Sequence, residues 1–422
     1  MHMDKNTIRT ASQLAFTITN TIIKHFGARP SCSEQSNNAA KVLQFMYSIH
    51  CDSSQLETFT THPSAFLGFL TLVPWIYIAC LIFIILHCYI IAAVGFTISI
   101  IIATSQFIFY KGTFDFLYTQ KEGTNAIGSI EPSNDVRQQI IISGHHDSAY
   151  EFRYMRTTPR LYRIRVASII LSILLSFLLG WLIVVNAYTF DSATAHTVLL
   201  TFLIILGIAN MQMLFFKSKH ATPGAGDNLI ASTITVALAN IFANYRPNYT
   251  RIIFASFDAE ESGLKGSKAF ATSHKHEIGS MPTFHFNMDS LYKVDLIQFL
   301  TSDVNGFVPL SKELARQCVA IAHAMGYPAK TFAMYPGTGA TDAAPVAQAG
   351  AIATTLIALP TEVEKQHSVY HTMDDTTSNI QPEVVEAAIA IAVKLVHYID
   401  NEIRGYRWGN RARQDSNLWP TA

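Results

Sequence analysis

Ile252-Ile253-Phe254-Ala255-Ser256-Phe257 runs straight into Asp258-Ala259-Glu260-Glu261-Ser262-Gly263-Leu264-Lys265-Gly266-Ser267. The first six residues are continuous and β-prone, the pattern of a parallel strand covered on both faces. Gly263 and Gly266 then punctuate a turn. In open α/β sheets, ligands gather at the carboxyl ends of such strands. Adjacent carboxylates repel, so placing two of them there calls for a cation or a proton between them. A metal site divides the work: one Glu binds the ion and the other takes a proton from water. Taken alone, the pair also fits a solvated acidic turn, and the rest of the chain decides.

The 422 residues include 30 basic and 30 acidic side chains, so bulk charge points to no nucleic-acid partner. Only 14% are charged and 50% are apolar, low and high for a soluble protein. Cys32, Cys51, Cys80, Cys88 and Cys318 form no C-x-x-C pair and no regular spacing. Neither a disulfide framework nor a thiolate zinc site is indicated. No glycine-rich phosphate loop occurs.

The apolar excess is local. From Thr58 to Tyr110 there is no Lys, Arg, Asp or Glu, room for two membrane spans of about 20 residues each. We place them at Ala65–Leu86 and Tyr89–Phe109, with His87-Cys88 at the turn and Trp75 and Tyr110 as interfacial anchors. A second uncharged pair, Val166–Val185 and Thr197–Phe216, is joined by Asn186–His196. Lys111, Arg153, Arg156, Arg160, Arg163, Arg165, Lys217 and Lys219 flank the spans on one side, while Asn186–His196 has no basic residue. Four spans return the chain to its starting side, and the positive-inside bias sets that side in the cytoplasm.

The remaining segments alternate between strand and helix patterns, so we expect an α/β fold with a mostly parallel central sheet flanked by helices. Residues 1–64 hold N-terminal helices, the first with an apolar stripe of Ile8, Leu14, Ile18, Ile22 and Ile23. The hairpins occupy 65–110 and 166–216; the catalytic segments are 111–165 and 217–404. The stretch 405–422, with Arg407, Arg411 and Arg413, has no periodicity and is expected to be disordered.

Metal-binding residue types recur where predicted strands end. They are His145 and Asp147, Asp227, Glu260 and Glu261, Asp289, and His371. Imidazole and carboxylate without thiolate suit a hydrolytic zinc site. In extended chain, residues i and i+2 face the same way, so His145 and Asp147 can share the site while His146 turns elsewhere. A carboxylate beside a ligating His fixes its tautomer. His146 and His285 are expected to point away, and His220, His274 and His367 to be peripheral. Each residue also has a plain use, Asp227 as a helix N-cap above all.

In chain order, Gly144-His145-His146-Asp147-Ser148, Pro223-Gly224-Ala225-Gly226-Asp227-Asn228, Phe257-Asp258-Ala259-Glu260-Glu261-Ser262-Gly263, Asn287-Met288-Asp289 and Tyr370-His371-Thr372 resemble the blocks of the di-zinc aminopeptidase family. That family, metallopeptidase family twenty-eight, also holds glutamate carboxypeptidase and the glutaminyl cyclases. The resemblance covers roughly 20–55, 111–150 and 220–400 and excludes both hairpins. It implies two zinc ions per chain, one on His145 and Asp289, the other on Glu261 and His371, with Asp227 bridging. It further implies Glu260 as general base, Asp147 as the partner of His145, and a peptide substrate. Two departures stand out. The second hairpin is inserted between Asp147 and Asp227, and Gly339-Ala340-Thr341-Asp342-Ala343-Ala344-Pro345 lacks the His and aromatic residue the family carries after its Asp.

The leading expectation is a membrane-embedded zinc aminopeptidase, with the lipid bilayer and peptides as its partners. A single-zinc glutaminyl cyclase and a catalytically inactive receptor or scaffold on the same fold are the alternatives. Retention of His145 together with Asp227 argues for two metals, and retention of every ligand argues against the scaffold. Residue specificity and oligomeric state have no signature in the sequence.

Overall fold

A computed structural model describes residues 4–359 and 369–402; the tail 405–422 and His367 lie outside the described residues. Asp4 and Ser33 cap α1 (Lys5–Phe26) and α2 (Glu34–His50), their side chains accepting the amides of Asn6 and Ser36. Ile18 and Ile22 of the predicted stripe are buried, and Ile8, Leu14 and Ile23 pack at its edge.

Strands β1 (Ser53–Thr61), β2 (Lys121–Ile130), β3 (Gln138–His145), β4 (Tyr150–Phe152), β5 (Lys217–Ala221), β6 (Thr250–Phe257), β7 (Thr283–Leu291), β8 (Ile297–Asp303), β9 (Val308–Pro309), β10 (Ala329–Ala333) and β11 (Ile352–Ala358) follow. Nine of them form one mixed sheet in the order β1-β2-β6-β3-β7-β11-β8-β10, with β9 beside β8. Its centre, β6-β3-β7-β11, is parallel as expected. The β1-β2, β2-β6 and β11-β8 pairs are antiparallel. Strands β4 and β5 form a separate two-stranded ribbon.

The pleat sorts side chains between two faces. Ile140, Ile142, Ile252, Phe254, Phe284 and Phe286 join the larger core, which also takes in α1, α2 and three later helices. Each such side chain, fully buried, contributes about 1.5–3 kcal/mol relative to exposure. Ile141, Ile253, Ala255 and Phe257 form the core of the other face. On that face β3 and β7 carry polar residues, Ser143, His145, His285, Asn287 and Asp289, which are buried. His285 therefore does not turn away as expected. It shares the face of Asp289, deeper in the sheet, 2.7 Å from Ser143 Oγ. His146 does turn away, its Nδ1 2.8 Å from Ser256 Oγ.

The hairpins are α3 (Phe69–Ile85) with α4 (Tyr89–Ala103), and, after the short α5 (Arg153–Thr157), α6 (Tyr162–Val185) with α7 (Ala193–Met211). The segments Tyr89–Ile108, Pro159–Phe190, Ala193–Phe215 and Ala225–Asn244 are long and apolar enough to cross a membrane, and Phe69–Ile85 is a shorter apolar helix. The last of the four contains α8 (Ile230–Asn244), which is buried in the larger core. The helices of the two hairpins pack together with their polar groups inside. Asn210 Nδ2 donates to Ser172 Oγ at 3.4 Å, and Tyr77 donates to the Leu203 carbonyl at 2.6 Å. Gly95, Gly180 and Gly207 let Cys80, Phe96 and Tyr77 approach closely. Outside, Ile85, Leu86, Ile101, Leu171, Phe202 and Ile208 are exposed. The two turns meet, with the rings of Tyr89 and His196 5.5 Å apart.

After β6 come α9 (Lys265–Ser273) and α10 (Lys275–Ser280), then α11 (Lys312–Ala324), α12 (Ala343–Gln348) and the closing α13 (Pro382–Glu402). A wide groove of about 1760 Å³ between α1 and α13, lined by Lys5, Phe16, Tyr327 and Tyr398, holds none of the predicted site residues.

Candidate metal centre

Parallel pairing of β6, β3 and β7 brings three strand ends side by side, with His145 opposite Phe257 in register. His145 ends β3, and Asp289 lies near the end of β7. Glu260 and Glu261 occupy the turn after β6. Asp227 sits in the turn Ala225–Leu229 that leads into α8, with its own backbone in a non-helical conformation (φ −123°, ψ 85°). His371 comes from the segment between β11 and α13.

All seven predicted residues meet there. His145 Nε2 lies 3.4 Å from Asp227 Oδ1 and 3.7 Å from Glu260 Oε2. His371 Nε2 lies 3.0 Å from Asp227 Oδ2 and 3.4 Å from Glu261 Oε1. Asp227 thus stands between the two imidazoles. His145, Glu260 and Asp289 offer ligand atoms within 4.8 Å of one another, as do His145, Asp227 and Glu261. Asp147 Oδ1 is 3.2 Å from His145 Nδ1.

Burial and crowding dominate the electrostatics. Burial, followed by the charges of Asp289 and Glu261, pushes the Glu260 carboxyl well above its ordinary range, against the pull of His145. Asp289 is raised in the same way by burial and by Asp227. Burial also lifts Glu261, with Asp227 adding to it and His371 opposing. For His371, burial is outweighed by Glu261 and Asp227, and its pKa rises to about 10. Two imidazoles cannot neutralise this many buried carboxylates; divalent cations can. Among the described residues, His145 Nε2, Asp227 Oδ2 and Glu261 Oε1 are buried without a well-formed hydrogen bond, and each faces another ligand-type atom across 3.0–3.7 Å. An oxygen and imidazole donor set whose atoms face one another in this way fits zinc.

A second layer holds these loops, and most of it is absent from the sequence-level expectations. Asp375 accepts the amides of Gly226 at 2.7 Å and Asp227 at 3.2 Å. Burial and the Asp227 charge raise its pKa to about 7 despite those amides. Asp258 accepts from Ser36 Oγ at 2.8 Å and from the amides of Cys32 and Thr124 at 3.2 Å, fastening α2 beneath the Glu260-Glu261 turn. Fully buried Arg29 donates to the carbonyls of His146, Pro223 and Gly224 at 2.7, 3.0 and 2.9 Å, joining two site loops. Burial lowers its pKa to about 10, against the attraction of Asp375 and Asp147. Asp375 lies only four residues after His371, whereas Arg29 belongs to a Gly-Ala-Arg-Pro-Ser stretch with no metal-binding residue type.

Residues 213–396 match the model of Peptidase family M28. The fold is similar to that of a zinc aminopeptidase from Bacillus subtilis. The TM-score is 0.54 and the identity 12%, covering 92% of this chain and 94% of that one. A glutaminyl cyclase from Fimbriiglobus ruber aligns with TM-score 0.53 and 12% identity over 91% and 94% of the two chains. An aminopeptidase from Aneurinibacillus sp. strain AM-1 aligns with TM-score 0.53 and 14% identity over 93% and 95%. At these identities the likeness is one of fold. A probable zinc metalloprotease from Pyrenophora tritici-repentis is 41% identical over 54 residues, 13% of this chain and 12% of that protein's length.

Proposed function

We infer that this chain, a member of Peptidase family M28 over residues 213–396 and a zinc-dependent hydrolase, removes N-terminal residues from peptides at a membrane. The observation that carries this reading is Asp227 set between His145 and His371, with Glu260 and Glu261 facing them from one turn. In this assignment His145 and Asp289 would hold one zinc and Glu261 and His371 the other, with Asp227 available to both. Bound zinc supplies a Lewis acid that polarises the scissile carbonyl and makes water acidic near neutral pH.

The protein's own groups do the rest. Asp147, against His145 Nδ1, fixes the tautomer that leaves Nε2 free to ligate. Glu260, raised in pKa by burial, accepts the proton of the attacking water and returns it to the departing amine. A site with His145 and the shared Asp227 both present favours two ions over the single zinc of the cyclase reading.

The membrane part of this reading rests on inside-out patterning. Lipid favours apolar exteriors with hydrogen-bonded polar groups and small residues between helices. The bundle of α3, α4, α6 and α7 has both features. The basic residues beside α6 and α7 favour a cytoplasmic catalytic side by the positive-inside bias. Zinc content measured together with hydrolysis of a panel of aminoacyl amides tests the whole. About two zincs per chain with turnover is expected; one zinc with cyclisation, or no metal and no turnover, would overturn it.

A further inference from the structure

Both hairpins leave the soluble part of the fold at the rim of the metal centre. On the first, Ser262, next to Glu261, donates to the Pro63 carbonyl at 2.9 Å. Phe66 and Tyr110, at the two ends of that hairpin, have ring centroids 4.8 Å apart. Both pack in one apolar cluster with Leu264, Val304 and Ala344. Tyr110, expected from sequence as an interfacial anchor, is buried at the site's edge and packs against protein. Asn305, just beyond β8, donates to the carbonyls of Phe107 and Ile108 at 2.9 and 3.1 Å.

The second hairpin is tied more directly. The Phe152 amide, at the end of β4, donates to the His371 carbonyl at 3.0 Å, and the two rings are 4.4 Å apart. That hydrogen bond and that edge-on ring contact couple a predicted zinc ligand to the chain that becomes α6. Phe216, just beyond α7, packs on Phe152 at 4.9 Å, and its carbonyl accepts the Arg153 amide at 2.9 Å. Around the same rim, Phe116, Phe307, Tyr335 and Met373 are exposed, and Phe307 lies against Phe109 at 5.1 Å. Exposed aromatic and apolar side chains gathered beside apolar helices suit the bilayer interface.

We propose that the metal centre opens at the bilayer surface and acts on membrane-inserted polypeptides whose free N terminus is held close to the lipid. This rests on the reading of the chain as a membrane zinc aminopeptidase. A site at the far end of the soluble domain could not reach such a terminus, whereas one framed by both hairpin bases can.

The test uses the full chain reconstituted in vesicles and three substrates with the same N-terminal leucine. One is soluble; two carry a lipid anchor, on a linker of about four residues, reaching at most about 14 Å, or of about twenty, reaching at most about 70 Å. The short-tethered peptide should be cleaved as fast as the long one, and at least about ten-fold faster than the soluble one at equal bulk concentration, because tethering raises effective concentration. Cleavage of the soluble or long-tethered peptide with none of the short one overturns the proposal and leaves the peptidase reading intact. Cleavage of none of the three overturns both.

Discussion

Asp147 holds the backbone of Glu260: its Oδ1 accepts the Glu260 amide at 3.2 Å, while the same oxygen lies 3.2 Å from His145 Nδ1. Its other oxygen accepts the Glu261 amide at 3.2 Å and Ser31 Oγ at 2.7 Å. One buried carboxylate therefore sets both the tautomer of a predicted ligand and the place of the Glu pair. An amide in its place would turn an N–H group toward these donors. Asp147→Asn is expected to lower zinc affinity about 10–100-fold, read by competition with a chelator; unchanged affinity would remove the positioning role.

The two glutamates should separate by readout. Glu260→Gln is expected to keep its zinc and lose about 10²–10⁴-fold in kcat, the usual contribution of a general base. Glu261→Gln should lose metal first. Metal analysis beside kcat for both variants checks the division, and a fully active Glu260→Gln protein would reverse it.

Arg29 offers a stability test. Replacing it with Met removes the donors to three loop carbonyls and leaves Asp375 and Asp147 without their buried positive neighbour. Breaking a buried charged group from its partners costs about 3–5 kcal/mol. Chemical denaturation of Arg29→Met in detergent should show a loss of that size, and a loss below about 1 kcal/mol, ordinary for a surface site, would contradict it.

His274 should make stability depend on pH. Its Nε2 lies 2.8 Å from Glu57 and its Nδ1 3.2 Å from Glu277, tying α10 to β1. The Glu57 hydrogen bond is the main cause of a pKa raised above the ordinary 6.5. The folded protein thus holds this proton to higher pH than the unfolded chain. The contribution is complete below about pH 6.5 and is lost as pH rises through the folded value. Wild-type stability should fall across that window more steeply than that of His274→Gln; equal slopes would rule the pair out as the source.

Sidedness can be read with cysteines. The turns at His87-Cys88 and Asn186–His196 lie together, as the Tyr89–His196 contact places them. With the catalytic side in the cytoplasm, an impermeant thiol reagent on intact cells should label native Cys88 and a cysteine at Asp191, and spare one beside Lys111. Labelling beside Lys111 alone would invert the topology.

The sequence by itself determined the features that repeat locally. The Ile252–Phe257 strand, the charge-free stretches that became the hairpins, and the order of His145, Asp227, Glu260, Glu261, Asp289 and His371 all follow from periodicity and residue type. Tertiary structure decided what depends on distant partners. Strands β1 and β2 escaped the reading because β1 is a polar, largely exposed edge and β2 contains Gly123 and Gly128, packed against Phe59 and Tyr47. Their antiparallel pairing gave the sheet its mixed edges. Asp375 on the Asp227 amide, Arg29 on the Gly224 carbonyl and Tyr110 beneath the rim join residues far apart in the chain, and such contacts leave no periodic trace. Hydropathy cannot tell lipid from a protein core: the segment Ala225–Asn244, long and apolar enough to span a bilayer, is instead buried, its α8 packed in the larger core against the sheet.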